Sequence, residues 1–388
     1  MTMNRRDVLK QALRNACVVA LPGAAASVAF AEPGVTASQV VIGSTLALSG
    51  PLAGAGIAHT AGLNAAFKAA NSGGGIGGRQ IKLVSLDDAY VPARTVENTR
   101  RLIEDQQVFA LVSSMGTGNT AAILQAVEKA EVPLIGPVTG AASLRKPGLK
   151  NVFHVRASYR DETDRLMQQL LSWGMKSLAF VYLDNPFGKE VLADAEVAVV
   201  SKGAELAGKF PLAIDGANAE DLAKQVHALQ PSAVVLGTTG TANTAFLQNY
   251  RRLSPATPVA GLSVSVLASE FTKLGSALNG LALTQVLPDA GSTRLAVVRN
   301  YQAAMRTAGE DMHIGGSSFE GWVNGQVLIE GLRRTGGDLK RDRLRTALAS
   351  MRRLDLGEFV LGYGPQAPYV ASQFIDLAVM GTNGKRSG

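Results

Sequence analysis

Residues 108–142 decide the fold of this chain and read VFALVSSMGTGNTAAILQAVEKAEVPLIGPVTGAA. The stretch begins with a short apolar run, Val108–Val112, and continues through a Ser/Gly/Thr loop into an amphipathic helix. A second apolar run, Pro133–Gly136, and another loop of small residues follow. Because a right-handed crossover makes the two strands parallel, both loops leave the same edge of one sheet. Open α/β sheets bind ligands at this edge, so the stretch predicts a doubly wound α/β domain with a binding site.

Hydroxyl and amide side chains are concentrated in these two loops. The first loop also forms a helix N-terminus, whose free N–H groups and dipole suit a carboxylate or a similar anion. The loops contain no acid, base or metal ligand, so this pattern indicates a site that holds a small polar group. The alternative is that Gly, Ser and Thr are simply the residues that βα loops and N-caps prefer. The side chains concerned are Ser113, Ser114, Thr117, Asn119, Thr120 and Thr139.

Residues 1–31 have the features of an export signal. Arg5 and Arg6 precede an apolar stretch that ends in Ala29–Ala31, an A-x-A cleavage pattern. The apolar stretch is interrupted by Pro22 and is shorter than the ~20 residues that a membrane span needs. We therefore predict a twin-arginine signal peptide that is cleaved after Ala31 and directs the protein to the periplasm.

Composition excludes several classes of function once this leader is removed. The leader carries four basic residues and one acidic residue, so 38 basic and 31 acidic residues become 34 and 30, and the net charge falls from +7 to +4. The basic surplus is scattered and aromatic residues make up only 5%, so we expect no nucleic-acid partner. The single cysteine, Cys17, is also removed, so we expect neither a disulfide nor a cysteine metal site.

The chain after the leader contains two series of alternating strands and helices, and it is longer than one core comfortably accommodates. We predict an α/β protein of two doubly wound parallel-sheet lobes, joined by a hinge with several crossings. The crossings are expected near Arg156, Val286–Asp289 and Gly357–Leu361. The predicted boundaries are 1–31 for the signal peptide, 32–155 plus 289–357 for lobe 1, and 156–288 plus 358–388 for lobe 2.

Signatures of catalysis and of cofactor binding are missing from the sequence. The histidines are isolated, and the segment 261–265 (GLSVS) departs from G-x-S-x-G at its last position. The segment 73–78 (GGGIGG) follows a predicted helix, whereas a dinucleotide-binding motif follows a strand. Asp87 and Asp88 point to opposite faces at a strand end, which favours capping over an acid/base pair. We predict no catalytic residue, no metal and no cofactor.

Several short motifs, taken in their order and spacing, indicate a family. They are Ile42-Gly43, Leu48-Ser49-Gly50-Pro51, Gly74 to Arg79, Asp87-Asp88, Val108 to Thr117, Val132 to Pro137, Asp184 to Gly188 and Leu328 to Gly336. With these motifs the chain resembles the type I periplasmic solute-binding proteins of ABC importers, specifically the branched-chain amino-acid (Leu/Ile/Val) binding group, over essentially all of its length after the leader. The resemblance implies a two-lobed protein that closes around a small solute and delivers it to a membrane permease without catalysis.

The resemblance also implies which residues bind the ligand. Thr117 would hold the ligand carboxylate beside the helix N-terminus, and Val138, Thr139 and Gly140 would complete that grip. From the second lobe, Phe187 would pack on the ligand. The predicted ligand-binding set further includes Ser49, Tyr90, Met115, Tyr159, Thr239, Ser263 and Phe319.

Several positions depart from the family pattern. Ala55 stands at the end of a turn where relatives often have an aromatic residue, and Thr239 stands where they often have tyrosine.

Two further departures concern the ligand ammonium and a disulfide. Ser263 stands where amino-acid binders place the glutamate that pairs with the ligand ammonium, and Gly116 and Tyr90 stand where some relatives have a disulfide. We therefore predict a carboxylate ligand without a free α-amine, such as an aromatic, keto or hydroxy acid. The alternative is an ordinary apolar amino acid whose ammonium pairs with Glu320 or Asp184.

Three classes of function stay open on the sequence. The leading hypothesis is a monomeric periplasmic receptor that captures a small carboxylate-bearing ligand, an amino acid or a related organic acid, and delivers it to an ABC permease in the inner membrane. Its rival is a ligand sensor of the same fold that serves a membrane kinase or chemoreceptor. The third class is an exported hydrolase or dehydrogenase.

Overall fold

The computed structural model describes residues 32–381 and 386–387, which form two α/β lobes; the predicted signal peptide lies outside these residues. The helices are α1 (Ala53–Ser72), α2 (Pro92–Arg100), α3 (Thr117–Lys129), α4 (Tyr159–Ser172), α5 (Pro186–Val200), α6 (Ala219–Leu229), α7 (Gly240–Leu253), α8 (Phe271–Leu274), α9 (Ala296–Ala308), α10 (Gly316–Thr335) and α11 (Arg341–Ala349). The strands of the first series are β1 (Gln39–Leu46), β2 (Gln80–Asp87), β3 (Ala110–Val112), β4 (Leu134–Ile135) and β5 (Val152–His154). The second series contains β6 (Ser177–Leu183), β7 (Glu205–Leu212), β8 (Ala233–Gly237), β9 (Val259–Gly261) and β10 (Leu281–Gln285). The C-terminal strands are β11 (Leu354–Asp355), β12 (Val360–Leu361), β13 (Tyr369–Val370), β14 (Asp376–Met380) and β15 (Arg386–Ser387).

Each lobe is built on one twisted sheet. The first sheet has the strand order β13-β5-β4-β3-β1-β2, and all its neighbours are parallel. The second has the order β15-β14-β10-β9-β8-β6-β7, in which β6 to β10 are parallel and β14 runs antiparallel to both of its neighbours. This arrangement confirms the predicted fold of two doubly wound, mainly parallel lobes.

Helices cover both faces of each sheet, and the central strands β3, β4, β8 and β9 are accordingly buried along their whole length. In lobe 1 a large core lies between the sheet and α1, α9 and α10, and a smaller one lies under α3 on the other face. In lobe 2 every residue of β8 is buried. Because β3 and β4 are parallel neighbours, the loops that follow them leave the same edge of the first sheet, where a parallel bridge joins Met115 and Val138.

The last crossing between the lobes differs from its predicted place. Tyr369–Val370 (β13) pairs in parallel with β5, and the ring of Tyr369 stacks on Phe153 with centroids 4.8 Å apart. The chain enters the second sheet only at β14. The expected crossing near Gly357–Leu361 is therefore wrong, and the assignment of all of 358–388 to lobe 2 needs correction, because a stacked aromatic pair holds this segment in lobe 1. The other domain boundaries stay predictions.

Candidate functional site

A cavity of about 340 Å³ lies between the two lobes and is lined by residues of both. Most of its wall is apolar, and polar side chains are concentrated in a few places. Such a cavity, apolar with a few convergent polar groups, is typical of a small-molecule binding site. The apolar lining includes Leu52, Ala55, Met115, Val138, Phe187, Val266, Leu267, Phe271, Val286 and Leu287.

One polar region belongs to lobe 1 and is centred on Thr117, the first residue of α3. The preceding Gly116 has φ 98°, a conformation that favours glycine and lets the chain turn sharply into the helix. The hydroxyl oxygens of Thr117 and Thr139 lie 2.9 Å apart, and Thr139 also accepts a hydrogen bond from the N–H of Ala141 (3.2 Å). Thr139 thus holds the Thr117 hydroxyl in place at a helix N-terminus that favours an anion.

The other hydroxyls of the predicted cluster stabilise the loops rather than line the cavity. Helix α10 contributes Asn324, whose side-chain N–H donates to the hydroxyl of Ser113 (3.1 Å) and to the carbonyl of Gly136 (2.9 Å). This amide ties the loop after β3 to the loop after β4. The preference of βα loops for small polar residues therefore accounts for most of the cluster, and Thr117 is its one member in the cavity wall of the described residues.

Aromatic residues from both sides of the cleft line the cavity. Tyr159 and Phe187 meet edge to face with centroids 5.0 Å apart. Phe187 follows Asn185, whose side chain caps α5 by accepting from the N–H of Gly188 (2.9 Å). The ring of Tyr90 lies against Gly116, where a Cβ atom would come within 2.5 Å of its Cε2. Gly116 and Tyr90, the positions where the resemblance implies a disulfide in some relatives, are therefore in contact here, with the tyrosine ring filling the space.

The second polar region is centred on Arg156, which was predicted only to lie near a crossing between the lobes. Its side chain is fully buried, and its Nη2 donates to Glu162 (3.0 Å) and to the hydroxyl of Ser263 (2.5 Å). Nη1 donates to both carboxylate oxygens of Glu320 at the longer distances of 3.4 and 3.5 Å. An arginine within the apolar stretch VFHVRAS, directly before an acidic first turn, is the sequence signal that could have identified this cluster.

His59 also lines the cavity and is uncharged at neutral pH. Burial, together with the nearby charge of Arg156, lowers the pKa of its imidazole to about 3. Its Nε2 lies 2.8 Å from the hydroxyl of Ser113. Because His59 carries no charge, Arg156 is the one cationic residue in the cavity wall of the described chain.

The structure brings most of the predicted ligand-binding residues to the cavity, but four lie elsewhere. Ser49 bonds to the carboxylate of Asp87 outside the wall, and Thr139 lies behind Thr117. Gly140 is packed under Tyr159, and Phe319 is a core residue that contacts Tyr301. The predicted residues that line the cavity are Tyr90, Met115, Thr117, Val138, Tyr159, Phe187, Thr239 and Ser263. Whether each of them contacts ligand stays a prediction.

The two acids considered as alternative partners for a ligand ammonium are in different places. Glu320 lines the cavity, and burial raises the pKa of its carboxyl while Arg156 opposes that rise. Asp184 is exposed and pairs with Lys189 (2.8 Å), so it is outside the cavity wall. Of this pair of acids, only Glu320 is placed to meet a ligand.

Neither a metal centre nor a membrane span is found in the part of the chain that the structure describes. No group of three or more His, Cys, Asp or Glu side chains in residues 32–381 is arranged to hold a metal ion. Within the same residues, each helix is too short or too polar to cross a bilayer.

Comparisons with known proteins agree with this architecture. The sequence profile of the periplasmic binding protein family matches residues 39–367. The chain is similar to Leu/Ile/Val-binding protein homolog 7 of Brucella abortus, with 26% identity over 369 residues that cover 88% of each protein. It is 29% identical over 181 residues to the chemotactic signal transduction system substrate-binding protein BasB of Halobacterium salinarum, a match that covers 44% of this chain and 43% of BasB.

Among solved structures, a substrate-binding periplasmic protein from Ralstonia solanacearum is 29% identical, covers 90% of this chain and 100% of its own, and has a TM-score of 0.84. The family match spans both lobes and the cavity between them. The chain therefore belongs to the periplasmic binding protein family, as a non-enzymatic, ligand-binding protein of the type I group that includes the Leu/Ile/Val-binding proteins.

Proposed function

We propose that this protein is the receptor of an ABC importer, which captures a small carboxylate-bearing ligand between its lobes and delivers it to the membrane permease. The observation that carries the proposal is the cavity itself: the N-terminus of α3 with Thr117 lies on one side and an apolar wall covers most of the rest. A carboxylate at the helix N-terminus and an apolar body against the wall would use both features.

The aromatic content of the wall supports a ligand with a substantial apolar body. Tyr90, Tyr159, Phe187 and Phe271 all line the cavity. A cavity of about 340 Å³ is within the usual range for small-molecule sites. We therefore propose aromatic or branched aliphatic carboxylic acids as the class of solute, with amino acids of the same shape as the alternative.

The test is native mass spectrometry of the protein as purified, followed by thermal-shift screening of carboxylic acids and amino acids. A ligand present at 100 times its Kd stabilises the folded state by about 2.7 kcal/mol, which raises Tm measurably. The matched control is the primary amide of each active acid, which keeps the shape and loses the charge. If the amides stabilise the protein as much as the acids do, the proposal of a carboxylate receptor is contradicted. It is also contradicted if neither the acids nor the amides stabilise the protein.

A signalling receptor of the same fold is the second candidate, and the similarity to BasB over 44% of the chain favours it. The two candidates predict different losses when the gene is deleted. Loss of uptake of the labelled ligand supports transport. Loss of the swimming response to that ligand, with uptake intact, supports signalling.

Family membership supports export to the periplasm, and we propose the twin-arginine route for it. Arg5 and Arg6 lie outside the residues that the structure describes. Replacing both arginines by lysine should leave uncleaved precursor in the cytoplasm, because the export receptor reads the arginine pair. Fractionation followed by N-terminal sequencing measures this, with mature protein expected to begin at Glu32. Normal export of the double variant would exclude this route.

A further inference from the structure

The polar cluster around Arg156 determines what the second end of a ligand meets. Arg156 is 2% exposed, and three elements converge on its guanidinium: α4 through Glu162, the loop after β9 through Ser263, and α10 through Glu320. The face of the Tyr159 ring lies over the same group, with the guanidinium carbon 5.2 Å from the ring centroid. The cluster therefore joins both lobes at the cavity wall.

The groups that would normally stabilise a ligand cation are directed at Arg156 instead. Glu162 accepts from Arg156 and also from the Ser263 N–H (2.9 Å) and the Thr284 hydroxyl (2.6 Å). The Ser263 hydroxyl likewise accepts a hydrogen bond from the guanidinium, and the Tyr159 ring lies against it. An ammonium at this position would find no solvent-exposed acid to pair with. It would also lie close to the buried positive charge of Arg156. The guanidinium therefore uses the groups that a ligand ammonium would need as partners.

The guanidinium also has donors left over. Its Nε is buried and has no hydrogen-bond partner among the described residues, and Nη1 makes only the long contacts of 3.4 and 3.5 Å to Glu320. A guanidinium can only donate, and a buried charged donor without a full set of acceptors is costly. The group that best completes this cluster is therefore an acceptor oxygen.

Two acidic residues of the wall favour an uncharged oxygen over a second carboxylate as that acceptor. The cavity is also lined by the acids Glu320 and Asp289, so a second ligand carboxylate would face like charges. An oxo or hydroxyl oxygen accepts from Arg156 without adding negative charge. A ligand ammonium drawn to Glu320 would lie close to Arg156, since only 3.4 Å separates the acid from Nη1.

We propose that Arg156 is a specificity-determining residue of the cleft, which selects monocarboxylic acids bearing an oxo or hydroxyl group in place of the amine. The ligand oxygen accepts from Nη1 of Arg156, which makes only long contacts to Glu320, while the carboxylate binds at Thr117 and the apolar body lies against the aromatic wall. This inference rests on the proposed function, because it assumes a carboxylate ligand in this cavity. It narrows that class to apolar 2-oxo and 2-hydroxy acids.

The first test is calorimetric titration of the purified chain with two matched series. One contains phenylpyruvate, phenyllactate, phenylpropionate and phenylalanine; the other contains ketoisocaproate, hydroxyisocaproate, isocaproate and leucine. Within the series that binds, we expect the oxo or hydroxy acid to bind at least tenfold tighter than both the amino acid and the acid without the extra oxygen. An amino acid that binds tightest, or an unsubstituted acid that binds equally well, overturns the inference and leaves the proposed function standing.

The second test uses Glu320→Gln, which keeps the shape of the side chain and removes its charge. Because the variant removes a negative charge near an anionic ligand and weakens the competing contact to Nη1, affinity for the oxo acid should rise about two- to tenfold. If Glu320 instead holds a ligand ammonium, amino-acid affinity falls tenfold or more, and the inference is wrong. Glu330→Gln is the matched control, since Glu330 is on the same helix and pairs with Arg334 at the surface (2.7 Å).

A third variant, Arg156→Lys, keeps the positive charge and loses the planar set of donors. We expect the preference for the oxo acid over the unsubstituted acid to disappear. A retained preference in a folded variant excludes Arg156 as its source; should the variant fail to fold, the two preceding tests decide. If none of the probes binds to the wild-type chain, and mass spectrometry finds no carboxylate ligand, the proposed function fails together with this inference.

Discussion

The hydroxyl of Thr117 is the group proposed to bind the ligand carboxylate, and a single substitution can test this role. Its side chain lines the cavity, and Thr139 behind it fixes the direction of the hydroxyl. A hydrogen bond to a charged group contributes roughly 1.5–3 kcal/mol, so Thr117→Val should weaken carboxylate binding about ten- to a hundredfold. Titration calorimetry with the acid found by screening measures the change.

The control for this substitution is Thr346→Val, because Thr346 is exposed on α11 and donates to the Asp342 carbonyl (2.9 Å). Its affinity should equal that of the wild-type chain. Unchanged binding in Thr117→Val would mean that the ligand lies elsewhere or carries no anionic end.

His154 makes the stability of the fold depend on pH. Burial, aided by the neighbouring charge of Arg145, lowers the pKa of His154 from its ordinary 6.5 to about 3. Between these values the unfolded chain binds a proton that the folded chain does not, so the free energy of unfolding decreases as pH falls from 6.5 toward 3. One such group contributes a slope of about 1.4 kcal/mol per pH unit.

Denaturant unfolding at pH 4 to 6.5 measures this slope. His154→Gln should reduce the slope by the contribution of one proton, about 1.4 kcal/mol per pH unit. The slope that remains includes the contribution of His59, whose pKa is also lowered. The comparison uses slopes, so a change in overall stability does not obscure it. Equal slopes in the variant and the wild-type chain would contradict the assignment to His154.

Helices α1 and α10 pack so closely that glycine is required where they cross. A Cβ atom on Gly62 would lie 1.9 Å from the Ser318 carbonyl oxygen, and one on Gly321 would lie 2.1 Å from that of His59. This crossing sets the depth at which α10 presents Glu320 to the cavity and at which α1 presents His59. The packing of two elements thus determines part of the cavity wall.

We therefore expect Gly62→Ala to force the two helices apart and to reduce the free energy of unfolding by about 1–3 kcal/mol, the usual cost of overpacking. Thermal unfolding measures the change as a lower Tm. Gly316→Ala is the matched control on α10, because a Cβ atom there meets nothing within 4 Å. A Tm for Gly62→Ala equal to that of the control would show that the crossing tolerates a methyl group.

The two lobes and their crossings make closure around the ligand the expected motion of the molecule. Thr117 on one side and Phe187 on the other line one cavity, so a bound ligand adds contacts that favour the closed state. Small-angle scattering should show a smaller radius of gyration when the ligand is added at saturation. Thr117→Val should need about ten- to a hundredfold more ligand for the same change. A radius that stays constant at saturation would indicate a rigid receptor.

The sequence alone determined the class of the protein and the order of its elements. Apolar runs bounded by Gly, Ser and Pro predict buried parallel strands, because such strands are covered on both faces, and the alternating helices predict the crossovers. Those signals are local, and they were sufficient for two doubly wound lobes and for the family resemblance. They also placed Thr117 at a helix N-terminus on the correct edge of the first sheet.

The tertiary structure decided which side chains face the cavity and which face one another. Arg156 and Glu320 are 164 positions apart, and no local pattern relates them. Likewise, β13 is only two residues long, and it joins the first sheet through a parallel pair with β5 and a stacked ring. Such contacts depend on how distant elements pack against each other. Periodicity reports that a residue is buried, whereas only the packed fold determines the partner with which it is buried.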